Sequence, residues 1–111
     1  MDIAGVKCIM TEDSLFITVE GEIDHHTAKY IREEIDKAIY YYRPKSAIMD
    51  LSAITFMDSS GLGLILGRYT QMVQLGGTLT LKDPTPTITK ILVLAGVDRL
   101  IPTEISSKQD Q

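Results

Sequence analysis

The chain has 111 residues, a hydrophobic fraction of 44% and a charged fraction of 23%. That is globular usage, enough chain for one core, and it excludes a disordered, collagen-like or disulfide-framework protein. Lys+Arg 11 against Asp+Glu 15 gives net −4, a poor balance for gripping a phosphate backbone, and the absence of Trp with only 6% aromatics argues against a base-stacking platform. The lone cysteine, Cys8, has no internal partner, which points to a reducing compartment and hence the cytoplasm. No stretch approaches the roughly 18 apolar residues of a membrane span. No basic, apolar, small-residue start marks a signal peptide. Neither nucleic acid nor membrane is an expected direct partner.

Residues 6–10 and 14–20 (SLFITVE) have strand character, the second by strict alternation. Residues 11–13 between them read as a hairpin turn. After Gly21 the period changes. Ala28, Ile31, Ile35, Ala38 and Ile39 recur on one helical face, with Asp24 placed as N-cap. Arg43-Pro44 ends this helix. The three tyrosines 40–42 before it are expected to lie along the surface. Residues 46–51 (SAIMDL) form a short buried strand.

Residues 55–61 then lead into a second helix. Its core stripe is predicted as Leu62, Ile65, Leu66, Tyr69 and Val73, stopped by Gly76-Gly77. Residues 78–82 alternate as a strand. A turn over 83–86 opens a third helix on Ile88, Ile91, Leu92 and Ala95, ended by Gly96. A last short strand is predicted at Leu100-Ile101, and the polar tail, about 103–111, is expected to fray. The order β-β-α-β-α-β-α-β predicts an α/β fold. Its sheet is mixed but mainly parallel, with an N-terminal hairpin strand and helices packed against it. One domain over 1–111 is expected.

Three stretches carry chemistry. Asp24-His25-His26 suggests a metal or a phosphoesterase, but two histidines in total are too few ligands. Adjacent residues on a helix also diverge by about 100°. No metal or cofactor is expected. Gly61, Gly63 and Gly67 are spaced G-x-G-x-x-x-G, which misses the dinucleotide fingerprint by one place, and no P-loop follows. Each glycine inside a helix costs about 1 kcal/mol relative to alanine. Such a helix either packs closely or offers its backbone to a partner. Leu64 lies off the predicted core stripe and reads as an interface residue.

Asp58-Ser59-Ser60-Gly61 follows a strand and opens a helix. The bland account is an N-cap. A serine hydrolase is weaker, since no G-x-S-x-G elbow is present. A phosphoacceptor is the remaining account, because phosphate at a helix start meets free N–H groups and the positive end of the dipole.

Taken together, the G-E-I-D-H-H-T-A block from Gly21 and the I-T-F-M-D-S-S-G-L-G-L-I-L-G-R-Y block from Ile54, followed by Gly76-Gly77, resemble the STAS-domain anti-sigma-factor antagonists, in their sporulation branch. The resemblance covers residues 6–101. It implies a substrate rather than an enzyme. The unmodified protein binds an anti-sigma factor that is also a serine kinase, and sigma is released. The kinase phosphorylates Ser59, the complex parts, and a serine phosphatase resets the cycle. It also implies a kinase-facing surface of Asp24, His25, Asp58, Ser60, Gly61, Gly63, Leu64 and Gly67. Members of this branch usually end in an amphipathic helix, whereas residues 103–111 here carry one apolar side chain, Ile105. Two alternatives stand beside this. One is a small phosphoesterase or nucleotide hydrolase using Asp24, His25 and Asp58. The other is a general stress-response antagonist of the same family.

Overall fold

The structure is a computed structural model and describes residues 4–106. Its elements run β1 (Gly5–Thr11), β2 (Ser14–Ile23), α1 (His25–Tyr42), β3 (Ser46–Met57), α2 (Ser59–Gln74), β4 (Thr78–Lys82), α3 (Pro86–Leu94), a 3₁₀ turn (Val97–Arg99) and β5 (Thr103–Glu104). They build one five-stranded sheet in the order β1-β2-β3-β4-β5. The β1–β2 hairpin is antiparallel and every other pairing is parallel. Parallel neighbours need crossovers, and the three helices supply them.

Alternation decides which face is covered. Leu15, Ile17 and Val19 of β2 and Leu79 and Leu81 of β4 are buried. They join Ile31, Ile35 and Ile39 of α1, Ile65 and Met72 of α2, and Ile88 and Leu92 of α3 in one cluster. The helices therefore cover one face of the sheet. On the other, the cross-strand partners Ile9 and Phe16 stay exposed. Each fully buried Leu or Ile contributes about 1.5–3 kcal/mol, so this cluster dominates the stability.

Helix ends follow local chemistry. Thr85 caps α3, its hydroxyl accepting from Ile88 N, and Pro86 takes the first turn, where its missing N–H costs nothing. Gly76 (φ 79°) closes α2 in a Schellman arrangement. Gly77 N donates to Met72 O at 2.7 Å and Gly76 N to Val73 O at 2.9 Å. Tyr40, Tyr41 and Tyr42 finish α1 on the surface, with the Arg43 guanidinium over the Tyr40 ring.

Four expectations are corrected. The central strand does not stop at residue 51 but continues to Met57, because pairing with the extended end of β2 as far as Ile23↔Met57 carries it on. The last strand is not Leu100-Ile101. Ile101 is buried in the core, and β5 forms after Pro102 by pairing with Leu81 and Lys82. The start of the polar tail is thus held, and Ser106 N donates to Asp83 Oδ1. Residues 107–111 of that tail, where a terminal helix would lie, fall outside the described residues. The buried face of α2 is Gly61, Leu64, Ile65, Arg68 and Met72. Of the predicted stripe Ile65 is buried, Leu62, Leu66 and Tyr69 pack half-buried against the core, and Val73 is exposed. Arg68 also turns inward. It meets Asp36 of α1, its Nε 3.1 Å from Oδ1, and donates to Gln71 Oε1 at 3.2 Å. A hydrophobic pattern assigns an arginine to solvent. Burial pushes the Arg68 guanidinium down from its usual range, and Asp36 opposes that shift.

No helix among the described residues is long and apolar enough to cross a membrane.

Candidate functional site

Strand register creates the site. Ile23 and Met57 are partners at the ends of β2 and β3, and both are buried. The next residue on each strand is an aspartate, and each aspartate caps a helix. Two helix N-termini thereby open side by side at the carboxyl ends of neighbouring parallel strands. Asp58 N donates to Ile23 O at 3.2 Å and ties the two starts together.

The caps differ in detail. Asp24 Oδ1 accepts from His26 N at 2.9 Å and Thr27 N at 3.0 Å. Thr27 Oγ1 accepts from Asp24 N at 3.0 Å and donates to Glu22 O at 2.8 Å. This is a capping box built with threonine, and it anchors the helix start to the strand end. The Thr27 N–H bond, foremost, holds the Asp24 carboxyl below its usual range, with help from the His26 N–H and charge. Asp58 Oδ1 accepts from Ser60 N at 2.8 Å. Each aspartate thus gives its Oδ1 to backbone donors of the helix it caps.

Ser59 is the first residue of α2 and is exposed. Its hydroxyl makes no hydrogen bond among the described residues. Ser60 is half-buried and turns into a cleft of about 550 Å³ between α1 and α2. The α1 wall carries His25, His26, Lys29 and Arg32; the α2 wall carries Ser60, Gly63 and Leu64. The two imidazoles meet edge-on, with centroids 5.5 Å apart. Among the described residues no three His, Cys, Asp or Glu side chains gather as a metal-binding group.

The three helical glycines divide into two kinds. Gly61 is buried, and a Cβ there would overlap the Met57 side chain. It lets α2 start directly over the end of β3. Gly63 and Gly67 have nothing within 4 Å of a Cβ position. They leave open space along the helix. Leu64, expected outside the core, is only 5% exposed and belongs to the hydrophobic cluster, so that expectation is corrected. Only its edge reaches the cleft. Asp24, His25, Asp58, Ser59, Ser60 and Gly63 are brought together at this end of the molecule, while Gly67 lies two turns along α2. Lys29 and Arg32 were missed by sequence reasoning, since exposed charges on an amphipathic helix look like an ordinary solvated face.

The family model described as STAS domain matches residues 6–110. The anti-sigma F factor antagonist of Paenibacillus polymyxa is 38% identical over 88 residues, 79% of this chain and 75% of that protein. The solved structure of the anti-sigma factor antagonist SpoIIAA in its unphosphorylated form aligns with a TM-score of 0.80 at 30% identity, covering 94% of this chain and 90% of that one. The Bacillus cell fate determinant SpoIIAA in the phosphorylated form aligns at 0.74, also at 30% identity, over 94% of this chain and 93% of that one. Fold and site thus define a STAS domain. Within that class, the chain belongs to the family of the anti-sigma factor antagonists.

Proposed function

We propose that this protein is an anti-sigma factor antagonist of sporulation control that works by partner switching. Unphosphorylated, it binds an anti-sigma factor serine kinase through the paired helix starts, and sigma is released. The kinase transfers the γ-phosphoryl of its ATP to Ser59. The bond from phosphorus to Ser59 Oγ forms, the bond to the β-phosphate oxygen breaks, and ADP leaves. The hydroxyl proton passes to a base of the kinase. The modified protein dissociates and a serine phosphatase resets it. The cycle runs in the cytoplasm. In this reading the chain is a substrate and has no catalytic residue of its own.

One observation carries the proposal. Ser59 is exposed and unpartnered at a helix start, where backbone N–H groups and the dipole tolerate a new anion. Ser60 is half-buried beside it with its N–H already bound to Asp58. The likeness to SpoIIAA structures in both the unphosphorylated and the phosphorylated form supports a switch without refolding.

The test is incubation with the purified anti-sigma factor kinase of the same cell and Mg-ATP. The expected result is a mass gain of one phosphate on Ser59. Ser59→Ala should bind the kinase and stay bound, and Ser59→Asp should bind weakly. Phosphate on Ser60, or equal affinity of wild type and Ser59→Asp, overturns the assignment. Turnover of a phosphoester by the purified protein alone would favour the hydrolase instead.

A further inference from the structure

Helix α1 gathers its nitrogen-bearing side chains at one end. The first eight residues, His25 to Arg32, include His25, His26, Lys29 and Arg32 and no carboxylate. Glu33, Glu34, Asp36 and Lys37 follow. The dipole does not account for this order, because it acts within the first and last turns, where the caps Asp24 and Arg43 already suit it.

All four nitrogen-bearing side chains line the α1 wall of the cleft, and no carboxylate lines either wall. Lys29 and Arg32 are exposed and form no ion pair among the described residues. The two nearby acids at the helix starts, Asp24 and Asp58, are engaged as caps. On a chain of net −4 the lining of this cleft holds two cations and no anion. The opposite wall is lowered by Gly63, which presents bare backbone to whatever enters.

We infer that the α1–α2 cleft is the docking site for an acidic segment of the partner kinase, whose carboxylates meet Lys29 and Arg32. The inference rests on the partner-switching reading and names the partner chemistry of that same surface. It also explains how one phosphate is enough. Phosphoserine at position 59 brings about −1.5 to −2 charge next to Ser60, which lines the cleft. That cancels the positive field the partner's acids need, and the kinase is released.

The experiment measures binding of the purified kinase to full-length wild type, to the double variant Lys29→Glu/Arg32→Glu, and to Lys90→Glu on α3 as a distant control. Exposed charge pairs are each worth a few-fold in affinity and are screened by salt. The double variant is expected to bind roughly tenfold or more weakly at low ionic strength, with a flatter salt dependence. Lys90→Glu is expected to bind like wild type. Both substituted side chains are exposed, so far-UV circular dichroism should show an intact fold. If wild type binds and the double variant binds within about twofold of it, the cleft inference falls and partner switching stands. If Lys90→Glu loses as much as the double variant, the effect is bulk charge and the inference falls again. If wild type does not bind the kinase at all, both readings fall.

Discussion

Gly61 and Gly63 stand two places apart in the first turns of α2 and answer opposite demands. At Gly61 an added methyl would meet the Met57 side chain, and overpacking of a fitted core costs about 1–3 kcal/mol. At Gly63 the same methyl meets nothing, and alanine is better than glycine inside a helix by about 1 kcal/mol. Gly61→Ala should therefore lower the thermal midpoint, and Gly63→Ala should raise it by roughly 4 °C or more. The signs diverge for binding too. Gly63→Ala should weaken kinase binding while it stabilises the fold, because the methyl projects into the cleft. Calorimetric melts and an affinity measurement on the same samples check this, and a Gly63→Ala variant both more stable and equally tight would remove Gly63 from the contact surface. Both glycines are legible in the sequence as glycines in a helix. Which packs and which is open depends on the β3 end lying beneath α2, and no local pattern reports that.

At the scale of the element, α1 begins on a carboxylate whose ionised form the fold prefers. Asp24 lies below its usual range because backbone N–H groups of Thr27 and His26 bind the anion. A lowered folded value means the contribution is complete above the unfolded value of about 3.8 and is lost as pH falls through the folded value beneath it. Asp24→Asn keeps a neutral cap and removes the charge. Wild type should be more stable than Asp24→Asn to urea at neutral pH, and the gap should close as acid protonates the carboxylate in the folded state. A gap that persists unchanged into acid would show that the carboxylate charge is not what the cap uses. The cap itself was readable from Asp24 preceding a helical period. The threonine arm of the capping box was not, because Thr27 earns its role through Glu22 O on the preceding strand. Helix α2 shows the limit more sharply. Its apolar pattern places most of the core-facing stripe, but it assigns Arg68 to solvent, whereas Arg68 turns inward to meet Asp36 of α1.

For the whole molecule, the proposed phosphorylation of Ser59 would take the net charge from −4 to about −6. The group arrives at an exposed helix start, where the dipole is worth about 0.3–1 kcal/mol in its favour. Asp58 opposes it at short range. The thermal midpoint of the phosphorylated protein should therefore lie within a few degrees of the unmodified one, while kinase binding is lost. Melting curves of the two forms, made by kinase treatment and separated by ion exchange, check this. A drop of about 10 °C or more would mean the switch works by loosening the fold.

The sequence alone determined the element order, the mainly parallel sheet with its antiparallel first strand, the Asp24 cap and a second helix start within residues 58–61. Those follow from period, caps and turn residues, which act over a few positions. Only the tertiary structure decided that the two caps share one end of the sheet. The Ile23↔Met57 register does this across more than thirty residues of chain. It also decided that Leu64 belongs to the core and that Arg68 is buried. Last, it set the basic first half of α1 against open backbone on α2. Charge and burial at these positions come from contacts between elements, and a pattern read along one element carries no information about what will be packed against it.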